Sequence, residues 1–145
     1  MKVLTLGLVI SVLLAGSAYA QGDAAAGANV FKKCAACHAV GEGAKNKVGP
    51  ELNQLIGRVA GTAPDFKYSQ AMTDAGTGGL VWSAETLHQF LTKPKDFVKG
   101  TKMSFPGLKE QADIDNIVAY LTSFSTAVAP ADGAPAEPAA APAAQ

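Results

Sequence analysis

The strongest periodic signal in the chain lies late in the sequence. Ile114, Ile117, Val118, Leu121 and Phe124 recur at spacings of three and four, which on a 3.6-residue helix forms one apolar stripe. This predicts an amphipathic helix from about Ala112 to Ser125. Gly27, Val30, Phe31 and Cys34 share one side at the same spacing and predict an earlier helix over Asp23 to Ala36. Between them, Ser69 reads as the N-cap of a short segment ending at Ala75, and Ser83 as the N-cap of a helix from Ala84 to Thr92. That helix must stop at Lys93-Pro94, because proline lacks the N–H that the ladder needs. The pattern calls for no strands, so the predicted fold class is all-α.

Both ends of the chain fall outside this pattern. Residues 1–20 open with Lys2, run through an apolar stretch from Val3 to Leu14 and close on Ala18-Tyr19-Ala20, the layout of a cleavable export signal. The apolar run is well short of the roughly 20 residues a spanning helix needs. The expected location of the mature protein is therefore the periplasm. Residues 127–145 hold ten Ala and four Pro among 19 positions, with no aromatic side chain. Such a stretch has nothing to pack and is expected to be a disordered tail.

The intervening segment, 21–126, is expected to be one domain with a thin core. It contains 17 Leu, Ile and Val and six Phe, little above the roughly 20% below which chains tend to be disordered. A large apolar cofactor would make up the deficit. With 11 basic and 10 acidic side chains, the segment lacks the basic footprint of a nucleic-acid binder.

The only two cysteines, Cys34 and Cys37, are followed at once by His38, giving Cys-Ala-Ala-Cys-His, the attachment pattern of haem c. Two thiols three positions apart can each add to one vinyl group, and the adjacent histidine then lies beneath the iron. A Cys34–Cys37 disulfide in a thioredoxin-like enzyme would want alternating strands and helices. A zinc site would have to combine Cys34, Cys37, His38 and the distant His88, yet adjacent Cys and His rarely both reach one tetrahedral ion. For a second axial ligand the mature chain offers Met72, Met103 and His88. Met103 stands in a Gly- and Pro-punctuated loop from Lys99 to Gly107 and is the favoured candidate, although a methionine also fills core gaps well. His88 falls in a predicted helix, where a solvated surface histidine is the plain reading.

Four segments in order, Cys34-Ala-Ala-Cys-His38, Gly49-Pro50-Glu51-Leu52, Gly57-Arg58 and Gly100-Thr101-Lys102-Met103, resemble the class I c-type cytochromes of the bacterial cytochrome c2 and mitochondrial cytochrome c group. The resemblance covers about Gly22 to Ser125. It implies the small cytochrome c fold: three to five helices around one covalently attached haem, with crossed terminal helices meeting at Gly27, Phe31 and Tyr120. It also implies His38 and Met103 as axial ligands, and Pro50 as the carbonyl that accepts the histidine ring N–H. Arg58, Tyr68 and Trp82 match residues that hold the propionates, and Thr101 one that supports the methionine loop. Two departures stand out. Phe90 occupies a position where the mitochondrial proteins usually carry Tyr, and Thr77 to Gly79 form a small insertion before Trp82.

A haem with both axial positions filled by protein has one-electron exchange as its easiest chemistry, so the expected role is an electron carrier rather than an enzyme. A small haem enzyme with a displaceable sixth ligand is the alternative. Lys32 and Lys33 flank the attachment site, and Lys93, Lys95, Lys99 and Lys102 precede the methionine. Together they are expected to form a docking ring that steers acidic partners toward an exposed haem edge. The resemblance implies membrane redox complexes as partners: a cytochrome bc1-type donor, and a photosynthetic reaction centre or terminal oxidase as acceptor. The expected carrier is monomeric.

Overall fold

The structure, a computed structural model, describes residues 22–125. The predicted signal segment and the Ala/Pro-rich tail lie outside the described residues. Within them the chain forms five helices: α1 (Ala24–Phe31), α2 (Gln70–Thr77), α3 (Ala84–Thr92), α4 (Pro94–Phe97) and α5 (Gln111–Thr122). The only sheet-like pairing among the described residues is an isolated antiparallel bridge between Val59 and Val81. No helix among them is long and apolar enough to cross a membrane.

Four of the five helices begin where a side chain or a proline satisfies the first turn, whereas α5 starts after Glu110 without a side-chain cap. The Asp23 carboxylate accepts from the amides of Ala25 at 2.7 Å and Ala26 at 3.2 Å, which starts α1. This helix is shorter than the stripe predicts. Beyond Phe31 the amides of Lys33 and Cys34 bond three residues back, to Val30 and Phe31, so Cys34 rides on a tightened turn rather than on the helix. Ser69 caps α2 through the Met72 amide. That helix runs past Ala75 to Thr77 and closes at Gly78, absorbing part of the insertion. Ser83 and Thr86 form a reciprocal capping box on α3. Pro94, which ends α3, sits in the first turn of α4, where its missing N–H would have had no partner anyway. The sequence pattern gave no sign of this single turn.

The first and last helices pack together, as the resemblance implies. Gly27 permits the approach: a Cβ there would overlap the Asn116 carbonyl oxygen and lie 2.6 Å from the Tyr120 Cβ. Asn116 Oδ1 also accepts from the Asp23 amide at 2.7 Å, and the Phe31 and Tyr120 rings meet with centroids 5.5 Å apart. Along the inner face of α5, Ile114, Ile117, Val118 and Leu121 are buried, Ile117 completely. Burying each side chain of this size contributes about 1.5–3 kcal/mol. The far end of α5 is fastened to the loop before Gly57, where the Gln54 amide donates to the Phe124 carbonyl at 2.9 Å and the Ile56 amide to Ser125 Oγ at 3.2 Å.

Candidate functional site

Between α1, α3, α5 and the long loops lies a cavity of about 670 Å³. Its wall is mainly hydrocarbon: Leu55, Met72, Leu87, Leu91, Ile117 and Leu121 all face it, and all are buried. The thin core is thus hollow, with its apolar side chains arranged around a space large enough for a cofactor.

The residues expected to hold the haem all line this cavity: Cys34, Cys37, His38, Pro50, Arg58, Tyr68, Trp82, Thr101 and Met103. Cys34 and Cys37 are half-buried and unbridged. Burial pushes the Cys34 thiol pKa up; Lys33 opposes that rise and Cys37 adds to it. The His38 ring is fixed by a 2.7 Å bond from Nδ1 to the Pro50 carbonyl, which leaves Nε2 without its proton in the neutral tautomer and able to bind a metal. Burial lowers the His38 pKa, the Pro50 bond partly offsets this, and Lys47 lowers it further. Neutral imidazole is the form a metal requires. Gly49, the first residue of the Gly49-Pro50-Glu51-Leu52 motif, makes room for this ring. A Cβ there would come within 2.8 Å of His38 Nδ1 and 2.9 Å of Nε2, so any larger residue would displace the ring.

Met103 is half-buried in the loop after Gly100, and its amide donates to Thr101 Oγ1 at 3.3 Å. Met72 also faces the cavity, from α2, as part of the packed core. His88 does not. Its Nδ1 lies 2.9 Å from Gln111 Nε2 and its Nε2 3.2 Å from Asp115 Oδ1, so it ties α3 to α5 outside the cavity. The expected solvated surface histidine is instead partly covered, with a neighbour at each ring nitrogen.

Arg58 donates to the carbonyls of Asn53 at 3.2 Å and Glu51 at 3.3 Å and lies 3.6 Å from Glu51 Oε1. Tyr68 accepts from the Ala63 amide at 3.3 Å, leaving its own O–H available to donate. Its pKa is raised chiefly by burial, against the pull of Arg58. Trp82 is buried with its ring 5.0 Å from that of Phe90. Phe90 faces the cavity and, in place of the mitochondrial Tyr, brings no hydroxyl.

The lysines are less uniform than the sequence implies. Lys33 and Lys102 reach the cavity rim, and so does Lys67, which lies outside the expected set. Lys33 Nζ is 2.7 Å from Asp113 Oδ2, so an acid 80 positions away in sequence sits beside the attachment site. Lys32 bonds Asn29, and Lys93 faces Asp96 at 3.7 Å. Lys95, Lys99 and Lys102 have no ion pair among the described residues.

A flat apolar group bearing a metal fits these surroundings, because the wall is hydrocarbon, two thiols stand at its edge and an oriented imidazole faces inward. A helical chain folded around such a space, with Cys-x-x-Cys-His at its rim, is a c-type haem protein. Residues 24–125 match the family model for cytochrome c. The chain is 59% identical to the cytochrome c2 of Afifella marina over 102 residues, covering 70% of this chain and 82% of that one. It is 52% identical to the cytochrome c2 of Agrobacterium tumefaciens over 112 residues, covering 77% of this chain and 100% of that one. The solved structure of cytochrome c2 from Rhodospirillum centenum superposes with a TM-score of 0.70 at 43% identity, over 72% of this chain and 100% of that one. The chain belongs to the cytochrome c family. It is a cytochrome c2-like electron carrier whose cofactor is haem c attached through Cys34 and Cys37.

Proposed function

We propose that the protein shuttles single electrons in the periplasm, as a monomer, between a cytochrome bc1-type donor and a photosynthetic reaction centre or terminal oxidase. The observation that carries this reading is that His38 and Met103 line one apolar cavity, so that these two side chains would hold the haem iron without an outside ligand. Haem c supplies a one-electron change between Fe(III) and Fe(II). His38, locked by Pro50, offers a basic and oriented nitrogen, while Met103 offers a soft thioether that favours the reduced state. The hydrocarbon wall excludes water and disfavours the extra charge of the oxidised state. Arg58, Tyr68 and Trp82 have N–H or O–H groups with which to meet propionates at the cavity edge. Periplasmic location rests on the signal-like residues 1–20.

The test is ligation. Met103→Ala should open the sixth position, lower the potential and let carbon monoxide bind. His88→Ala and Met72→Leu should retain the low-spin visible spectrum of the parent. A parent protein that binds carbon monoxide readily, or a His88 or Met72 variant that alone loses the low-spin spectrum, would contradict the assignment.

A further inference from the structure

Arg58 faces the cavity, whereas Glu51, which grips it, does not. The grip is elaborate for one ion pair. Glu51 Oε1 lies 3.6 Å from Arg58 Nη1, and its Oε2 accepts from the Asn53 amide at 2.8 Å. The Glu51 amide donates to Asn46 Oδ1 at 2.9 Å, and Asn46 Nδ2 donates to the Pro64 carbonyl at 2.9 Å. The carboxylate is therefore held at both oxygens, and the loops on either side of it are tied together. Side-chain exposure is 13% for Arg58 and 20% for Glu51, so water screens this pair much less than a surface pair.

We infer that Glu51 is a positioning residue for the haem. Its carboxylate fixes the Arg58 guanidinium at the cavity wall and offsets part of that positive charge, which lowers the reduction potential. The inference rests on the reading of Arg58 as a propionate partner. Oxidised haem carries one more positive charge than reduced haem, so a negative charge near it favours the oxidised state and a positive charge the reduced one. How far either field reaches depends on the dielectric between them. Tyr68, on the cavity wall, registers both fields: Arg58 lowers its pKa and Glu51 raises it, beneath the larger effect of burial. A purely structural salt bridge would affect stability and leave the potential alone.

The experiment is redox titration of the holoprotein and of Glu51→Gln, which keeps an acceptor for the Asn53 amide but removes the charge. Glu85→Gln, the same charge removal at an exposed position on α3, serves as control. Glu51→Gln should shift the equilibrium toward the reduced state by about threefold, a rise of about 28 mV at 59 mV per tenfold for one electron. Glu85→Gln should leave it unchanged. Arg58→Gln, measured alongside, should lower the potential. If Arg58→Gln lowers it and Glu51→Gln does not raise it, the role of Glu51 is overturned while the propionate reading stands. If neither variant moves it, the propionate reading fails and takes the inference with it. Equal shifts from Glu51→Gln and Glu85→Gln would reduce the effect to net charge and also overturn it. Should Glu51→Gln not accumulate with haem, the comparison is made between Arg58→Lys and the double variant Glu51→Gln/Arg58→Lys. The double variant should show the higher potential, and equal values overturn the inference.

Discussion

A half-buried phenol keeps its proton because the phenolate would lose hydration that the protein does not replace, and Tyr68 is in this position. Its folded pKa lies above the ordinary 10.0, so the folded protein holds the proton at a pH where the unfolded chain has released it. Stability attached to this group is fully present below about pH 10 and falls as pH rises through the folded value. Tyr68→Phe should therefore lose less stability than the parent above about pH 10, measured by denaturant unfolding across a pH series. Parallel curves for the two proteins would show that Tyr68 does not titrate differently on folding. At this scale the sequence revealed residues whose chemistry demands adjacency. Cys34, Cys37 and His38 are legible because one cofactor must meet all three. Glu51 and the partners of His88 were not legible, since a carboxylate seven positions from its arginine and a glutamine 23 positions from its histidine leave no mark in a linear pattern.

Helices in this protein are set by their ends and by a single close contact. The caps at Ser69 and Ser83 and the stripe of α5 through Leu121 appear where capping chemistry and periodicity put them, because both signals are local, but the helix ends at Thr122 and leaves Phe124 beyond it. The early end of α1 was hidden, since the switch from four-residue to three-residue bonding after Phe31 leaves the stripe through Cys34 intact. The single turn of α4 was hidden as well, because a proline that ends one helix looks the same in sequence as one that starts the next. Gly27 carries the contact between α1 and α5. A side chain there meets the backbone of Asn116, which cannot rotate away, so one helix has to move. Gly27→Val should destabilise the holoprotein by about 2–3 kcal/mol, the upper range for overpacking. Thermal or denaturant unfolding measures this, and a loss below about 0.5 kcal/mol would mean that the two helices slide apart without penalty.

The charge pattern belongs to the whole molecule. The expected lysine ring would be lopsided: Lys33 is partly neutralised by Asp113, while Lys95, Lys99 and Lys102 carry no ion pair among the described residues, so the field should be strongest beside the methionine loop. Exchanging Lys99 and Lys102 for Glu should slow reaction with an acidic membrane partner by roughly tenfold at low salt, the low end of steering effects. It should also flatten the salt dependence, because exposed charges lose reach beyond about 8 Å at physiological ionic strength. Asp74 and Glu85 exchanged for Lys form the control; Asp113 would be a poor choice beside Lys33. Stopped-flow rate constants across a salt series decide the matter. Equal and opposite effects from the two pairs would mean that net charge acts without a local face.

The contact between α1 and α5 also bears on the order in which the molecule can be made. Ile117 and Leu121 belong to the cavity wall as well as to the last helix, and Asp23 is bonded to Asn116 across 93 positions of sequence. Closing so long a loop carries an entropic cost that only the finished contact repays. A chain still emerging, with α1 delivered and α5 withheld, has neither a partner for its first helix nor a complete wall for its haem. Closure of the cavity therefore waits for α5, and in that interval the thiols of Cys34 and Cys37 are presented on an open polypeptide rather than within a finished cavity.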